Sequence, residues 1–259
     1  MTRPAVLVIA GSDSSGGAGI TQDVRTLADL GVEVLCAVTA VTAQSNRRVE
    51  GIHPVPADFV RLQIEAACRT RLPDAIKVGM LGGRAAVEAV AAALRPHPQI
   101  PLVVDPVLVA SSGGALLDAE GRKALTEMLL SRASLVTPNV PEAAALLGEP
   151  LASDEATLIA QARRILSLGT RAVLLKGGHA GGGEAVDWLV SSDRPHERLT
   201  APRLEATRRG TGCALASAIA AELARGKPLA EACRGAKQYV LARLRESASE
   251  LEPPGHAPA

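Results

Sequence analysis

The sequence predicts an α/β domain in which a mostly parallel sheet is covered on both faces by helices. Three observations carry that reading. Ala5-Val6-Leu7-Val8-Ile9-Ala10 is an unbroken apolar run ending at Gly11, the pattern of a strand buried on both faces. Strand-like runs then alternate with stretches of helical periodicity, which implies βαβ units. The chain is also 47% hydrophobic but only 1% aromatic, with one Trp, one Tyr and one Phe. Its core must therefore be aliphatic, as parallel strands under Ala-rich helices require.

The elements follow in order. After residues 5–10, strands are expected at 32–41, 75–78, 102–104, 135–136 and 172–175, all Val-, Leu- or Ile-rich. Ile20, Val24 and Leu27 recur at helical spacing and stop at Gly31; Val87, Val90 and Leu94 repeat the pattern. Residues 213–224 form a later helix, with Leu215, Ile219 and Leu223 on one stripe and Gly226 at its end. Residues 185–200 break the alternation and predict a hairpin turning at 191–195, and 49–55 predict a small edge strand. Neither a repeat nor a linker is visible. With 259 residues, a single domain over 1–259 is expected, its Pro-rich last ten or so residues frayed.

A formal net charge of +1 with scattered basic residues offers no field for nucleic acid or a membrane surface. Cys36, Cys68, Cys213 and Cys233 lack C-x-x-C spacing and zinc-like grouping. No apolar run reaches the roughly 20 residues of a membrane span, and the chain opens directly into a strand without a leader pattern. A reduced, cytoplasmic protein is expected.

Three glycine-rich turns follow apolar runs, where open α/β sheets place ligands. Gly11-Ser12-Asp13-Ser14-Ser15-Gly16-Gly17-Ala18-Gly19 is not a Walker A loop, since Gly17-Ala18 stands where Lys-Ser/Thr is needed, nor a dinucleotide fingerprint, since Gln22 replaces the third glycine. Lys176-Gly177-Gly178-His179 puts a lysine at a strand end, able to meet a phosphate although such lysines are more often solvated. Gly210-Thr211-Gly212-Cys213 opens a helix, where unpaired N–H groups and the helix dipole favour an anion. Cys213 there is expected to have a lowered thiol pKa suited to a base, against the alternative of a small buried Cys packing the helix start. Asn139-Val140-Pro141-Glu142 has capping-box spacing, only partly compatible with holding metal-bound water. Asp105 follows 102–104 as a magnesium partner or an ordinary turn residue.

Taken in order, these motifs resemble the phosphomethylpyrimidine kinases of thiamine biosynthesis, within the ribokinase-like superfamily. The resemblance runs from Ile9–Ile20 through Thr42-Ala43-Gln44, Lys77-Val78-Gly79-Met80-Leu81, Asp105-Pro106-Val107, Thr137-Pro138-Asn139-Val140-Pro141-Glu142-Ala143 and Lys176-Gly177-Gly178-His179 to Gly210-Thr211-Gly212-Cys213. It implies a three-layer α/β/α fold and ATP-dependent phosphorylation of 4-amino-5-hydroxymethyl-2-methylpyrimidine or its monophosphate, with ATP and Mg2+ as cofactors and a homodimer as the assembly. By the same resemblance Gln44, Gly11, Asp23 and Met80 line the pyrimidine pocket. Cys213 takes the hydroxymethyl proton and Gly210, Thr211 and Gly212 build the anion hole. Asn139 and Lys176 serve the nucleotide, and Glu142 and Asp105 the metal.

Two departures stand out. Arg208-Arg209 precede Gly210 where the family usually has Thr-His, and Ser111 stands where many members carry Lys. The arginines are expected to supply the positive charge that Ser111 does not bring. The rival readings are a pyridoxal kinase of the same superfamily, disfavoured by Gln44 and the Gly16–Gly19 run, and a non-catalytic ligand-binding protein on this fold.

Overall fold

The first strand divides its side chains between two cores. In the computed structural model, which describes residues 3–109, 114–177, 183–204 and 209–249, β1 spans Ala5–Asp13. Val6, Val8 and Ala10 pack into one aliphatic cluster, and Leu7 and Ile9 into another on the opposite face. The period-two alternation of a strand therefore has apolar partners on both sides, which is why the run is continuous.

The remaining strands are β2 (Glu33–Gln44), β3 (Val49–Pro54), β4 (Ala75–Val78), β5 (Leu102–Val104), β6 (Leu135–Val136), β7 (Ala172–Lys176), β8 (Glu184–Ser191) and β9 (Glu197–Pro202). Among the described residues they form one sheet in the order β3-β2-β1-β4-β5-β6-β7-β8-β9. From β2 to β7 every pairing is parallel; β3, β8 and β9 add antiparallel edges. The expected 185–200 hairpin is β8–β9, and the expected edge strand at 49–55 is β3. β2 runs three residues further than its apolar run, to Gln44, because β3 pairs with its polar end.

Eight α-helices flank the sheet: α1 (Gly19–Asp29), α2 (Ala57–Thr70), α3 (Arg84–Leu94), α4 (Ala119–Ala124), α5 (Val140–Leu147), α6 (Glu155–Leu166), α7 (Thr211–Ala224) and α8 (Leu229–Ser249) among the described residues. α1, α7 and α8 cover one face. α2, α3 and the π and 3-10 turns after α4 cover the other, continued by α5 and α6 over β7 and β8. α7 is buried almost all round, from Ala214 to Glu222, which explains its Ala-rich sequence.

The helix starts differ in a way that matters for function. Asp118, Asn139 and Asp154 cap α4, α5 and α6 through side-chain acceptors. α1 and α7, which open from the first and third glycine turns, have no side-chain cap. The same is true of α2 and of α3, which opens at Gly83 after β4, but it is α7 whose start meets Lys176 across a glycine. The frayed tail expected at residues 250–259 lies outside the described residues.

Candidate active site

The carboxyl ends of β1, β4, β5, β6 and β7 deliver their next residues to one edge of the sheet, where α7 begins. Lys176 closes β7 and Asp105 follows β5. The Lys176 Nζ lies 2.8 Å from Asp105 Oδ1, which also accepts from Thr137 Oγ1 at 3.1 Å. Glu142 Oε2 is 3.9 Å from the same ammonium. Gly212 stands directly over this group. A Cβ there would sit 3.2 Å from Lys176 Nζ and 3.9 Å from Asp105 Oδ2. The missing side chain thus lets the α7 N–H groups, unpaired by helix geometry, face a lysine across a narrow gap.

Gly210 is required for a different reason. Its φ is +76°, and a Cβ would come within 2.3 Å of the Gly17 carbonyl oxygen. No L side chain fits that left-handed, crowded position. The third glycine turn is therefore pressed against the first.

Asn139 and Glu142 form the complete capping box: Glu142 N–H donates to Asn139 Oδ1 and Asn139 N–H to Glu142 Oε2, both at 2.8 Å. Capping and proximity to Lys176 coexist, because Glu142 Oε2 serves both. Burial pushes the Glu142 carboxyl up to about 7, with Lys176 opposing and Asp105 adding to the rise. Asp105 is buried too, but Lys176 and Lys77 outweigh burial and hold its carboxyl below the usual range. Lys176 stays protonated against its own burial because Asp105 and Glu142 face it. A folded carboxyl with a raised pKa keeps a proton that the unfolded chain has lost. The ligand-free protein should accordingly lose stability as pH rises from about 4.5 through about 7. Glu142→Gln, whose amide oxygen can still accept from Asn139, should flatten that slope in urea melts.

Beneath Cys213 lies a charged group with no opening to solvent. Lys77 Nζ contacts both Asp23 oxygens, at 2.9 and 2.8 Å, and Ser217 Oγ donates to Asp23 Oδ1 at 2.8 Å. All three residues are fully buried. Burial opposes the charge on Lys77, yet Asp23, Cys213 and Asp105 hold its pKa above the ordinary lysine range. Burial works in the opposite sense on Asp23, raising its pKa against the pull of Lys77 and Ser217. With the carboxylate gripped through both oxygens, the pair is ionic. Asp23, expected to line the ring pocket, is instead closed off behind Lys77.

The thiol itself departs from expectation. Burial pushes Cys213 up to about 12, although Lys77 and the Gly19 N–H favour the thiolate and Asp23 and Asp105 oppose it. The residue keeps partial exposure, so enclosure by the surrounding protein, rather than complete sealing, outweighs the helix start. The lowered pKa read from the helix N-terminus is therefore corrected.

At the start of the first glycine turn, Gly11 and Met80 meet. A Cβ on Gly11 would fall 2.7 Å from Met80 Sδ. Gln44, partly exposed at the end of β2, is fixed to the first turn by Ser14, whose Oγ accepts from Gln44 N–H and donates to its carbonyl, both at 2.8 Å. Thus Asp105, Lys176, Asn139, Glu142 and the Gly210–Cys213 turn form one group, while the first glycine turn meets Met80 through Gly11 and the end of β2 at Gln44 through Ser14.

Residues 13–258 match the family described as phosphomethylpyrimidine kinase. The chain belongs to that family. It is therefore a phosphotransferase, on a mostly parallel sheet covered by helices on both sides, as in the ribokinase-like kinases it resembles. The kinase is 45% identical to a hydroxymethylpyrimidine/phosphomethylpyrimidine kinase of Rhizobium meliloti, over 95% of this chain and 92% of the relative. It is 46% identical to a thiamine biosynthesis bifunctional protein of Geobacter sulfurreducens over 94% of this chain, spanning about half (49%) of that relative. Among solved structures, phosphomethylpyrimidine kinase from Clostridium difficile superposes with a TM-score of 0.82 at 34% identity, over 93% of this chain and all (100%) of that one. Pyridoxal kinase from Staphylococcus aureus in complex with AMP-PCP and pyridoxal gives 0.85 at 30%, over 94% and 89%.

Within this kinase the departures at Arg208 and Ser111 lie outside the described residues, as do Gly178 and His179. Arg209 is placed, and both terminal nitrogens of its guanidinium are held by protein, NH1 sharing its two hydrogens among Ser15 Oγ, the Ser45 carbonyl and Asn46 Oδ1, and NH2 donating to Asp13 Oδ2, while its Nε is buried without a partner among the described residues. Sequence reasoning named neither Lys77 nor Ser217 as site residues. Lys77 had one available signal: it breaks an otherwise apolar strand, Ala75–Val78, at a position that a parallel sheet buries. Ser217 lies one helical turn after Cys213 and so shares its face.

Proposed function

We propose that this kinase moves the γ-phosphoryl group of ATP to the hydroxymethyl oxygen of 4-amino-5-hydroxymethyl-2-methylpyrimidine, or to a phosphate oxygen of its monophosphate, in thiamine biosynthesis. One observation carries the reading. The uncapped start of α7 faces the Lys176–Asp105 pair across Gly212, with Cys213 alongside. Such a site gathers fixed positive charge where a PO3 unit passes between oxygens, and phosphoryl transfer depends mostly on positioning and charge.

In this mechanism Gln44 offers both a donor and an acceptor to the aminopyrimidine edge. Met80, held against Gly11, supplies the flat apolar wall that the near-absence of aromatics leaves vacant. Cys213 takes the hydroxymethyl proton as the oxygen bonds to the γ-phosphorus and the bond to the β-phosphate oxygen breaks, releasing ADP. The N–H groups of Thr211, Gly212 and Cys213 hold the equatorial oxygens. Lys176 and Asn139 orient the polyphosphate. Asp23 acts from behind, by keeping Lys77 charged.

Magnesium fits the same residues. Among the described residues no three carboxylate, Cys or His groups converge into a self-sufficient metal site. Asp105 and Glu142 nonetheless form a close carboxyl pair with one lysine between them, and Mg2+ usually takes one or two carboxylates together with substrate phosphates. When bound there it would neutralise charge on the phosphates. We further assign the kinase to the cytoplasm as a homodimer. In support, β3 is an exposed edge strand, and Ile52 on it and Val41 on β2 are uncovered large apolar residues.

The deciding test is substrate-dependent ADP release across hydroxymethylpyrimidines and pyridoxal vitamers. Faster turnover of the pyrimidines is expected. Gln44→Ala should raise the pyrimidine KM roughly tenfold, about the worth of one or two lost hydrogen bonds, with the ATP KM unmoved. Preference for pyridoxal would replace this reading by the pyridoxal kinase one.

A further inference from the structure

The guanidinium of Arg209 is the meeting point of three separate loops. Its own backbone leads into Gly210 and the anion turn. Through NH1 it reaches Ser15 Oγ at 3.0 Å, in the first glycine turn. The same nitrogen reaches the Ser45 carbonyl at 3.2 Å and Asn46 Oδ1 at 3.0 Å, in the turn joining β2 to β3. NH2 completes the set on Asp13 Oδ2 at 3.3 Å.

Two of these contacts lead to Gln44 of the proposed ring pocket, Ser45 directly and Ser15 through its neighbour Ser14. Ser45 adjoins Gln44, and Gln44 is bound reciprocally to Ser14. Asp13 Oδ1 in turn accepts from Ser15 N–H and Ser15 Oγ, so the carboxylate braces the loop from within. The side chain is only 19% exposed, which limits solvent competition for its bonds. Arg25 supports the same loop, donating to the Gly16 carbonyl at 2.8 Å, and among the described residues it hydrogen-bonds to neither the Ser45 turn nor the anion turn. A planar fork spreads its donors over several ångströms and so spans separate segments, whereas a lysine ammonium gathers its three donors at one point.

We infer that Arg209 is a positioning residue that holds the Gln44 strand end, the first glycine turn and the anion turn in one frame, so that the ring pocket is set at a fixed distance from the phosphoryl-transfer site. The choice of ring substrate rests on the function proposed above; the clasp itself does not.

The test has two arms. In the free protein, Arg209→Met should speed hydrogen exchange in both 13–17 and 45–48, whereas Arg25→Met should speed it in 13–17 alone. In turnover, Arg209→Met should raise the pyrimidine KM roughly tenfold, as expected for loss of charge-assisted bonds that preorganise a site. The ATP KM should move less than about threefold, and Arg209→Lys should recover only part of the loss. Unchanged exchange at 45–48 would overturn the inference, as would a variant whose ATP KM alone rises, since that is the behaviour of a phosphate contact. If the unmodified kinase turned over no pyrimidine, the proposed substrate would fall while the exchange arm still decided the clasp. Should Arg209→Met fail to fold, Asn46→Ala and Ser15→Ala remove the two ends of the clasp separately and must each loosen 45–48 or 13–17.

Discussion

Replacing Cys213 by Ala is expected to lower kcat by roughly 10^2- to 10^4-fold, the usual contribution of a positioned general base, while both KM values stay within about threefold. Two effects compete at this thiol. The start of α7 favours an anion, but enclosure by protein disfavours it more, and the pKa rises to about 12. At pH 7 only about one thiol in 10^5 is then ionised in the free protein. The base form is scarce and grows as pH rises. The kcat/KM of the unmodified kinase, which reports the free protein, should therefore climb about tenfold per pH unit through the neutral and mildly alkaline range. The Ala variant should have lost that slope. Cys213→Ser separates packing from proton transfer, because it keeps the volume but replaces the thiol with a less acidic hydroxyl; it should resemble Ala. Turnover surviving within a few-fold in both variants would make the cysteine structural and pass the proton to solvent.

What the sequence revealed and what it hid divide along range of contact. β1 was visible because five residues packing into two clusters leave an apolar run with no gaps. The box at Asn139 and Glu142 was visible because both partners lie within one helical turn. The glycines at 210 and 212 were visible as a motif, but their separate reasons were not. Gly210 yields to a carbonyl at Gly17, and Gly212 to an ammonium at Lys176. The sign of the Cys213 shift was misread because the helix start is local, whereas the enclosure comes from α1, β4 and β5. Asp23 was misplaced for the same reason. Its partners are 54 and 194 residues away in sequence, and no periodicity within α1 distinguishes a ligand-facing carboxylate from one locked to a lysine. Arg209 was noticed only as a departure from a familiar pattern; its contacts with Asp13, Ser45 and Asn46 depend on the β2–β3 turn folding back towards α7.

The charges at this edge also fall into an order that the isolated motifs do not have. Lys77 belongs to Asp23 and Lys176 to Asp105, each at about hydrogen-bond distance. Glu142 only shares Lys176, at 3.9 Å, and burial, aided by Asp105, outweighs that lysine and raises its carboxyl to about 7. A bound polyphosphate with a cation would change that balance most at Glu142, so nucleotide binding should be coupled to proton release there as pH falls below about 7.

The largest stability effect is expected at Lys77. Met is unbranched and one atom shorter, so it fits the space that Lys77 fills up against Gly79, where a Cβ would lie 2.7 Å from Lys77 Nζ. Lys77→Met should therefore pack with little strain, yet it strands the Asp23 carboxylate in the interior. Removing one partner of a buried ion pair costs about 3–5 kcal/mol, a large share of the roughly 5–15 kcal/mol that stabilises a domain. Adding Asp23→Leu removes the stranded charge. Because buried pairs exchanged for apolar groups are often neutral or stabilising, the double variant should regain most of the loss in urea titrations, with Ser217 able to turn its hydroxyl to a carbonyl of its own helix. A double variant as unstable as Lys77→Met alone would show that packing, not charge, fixes this site. The recovered fold also isolates the catalytic question. Lys77 is the foremost influence favouring the Cys213 thiolate, and Asp23 is the next charge, opposing it. Lys77→Met alone should therefore displace the kcat/KM rise to higher pH, while the stable double variant, which loses both charges, should show a smaller displacement and a smaller loss of turnover. Near-normal turnover in both variants would mean that the buried pair serves the fold alone and that the thiol depends on the helix start for whatever charge it carries.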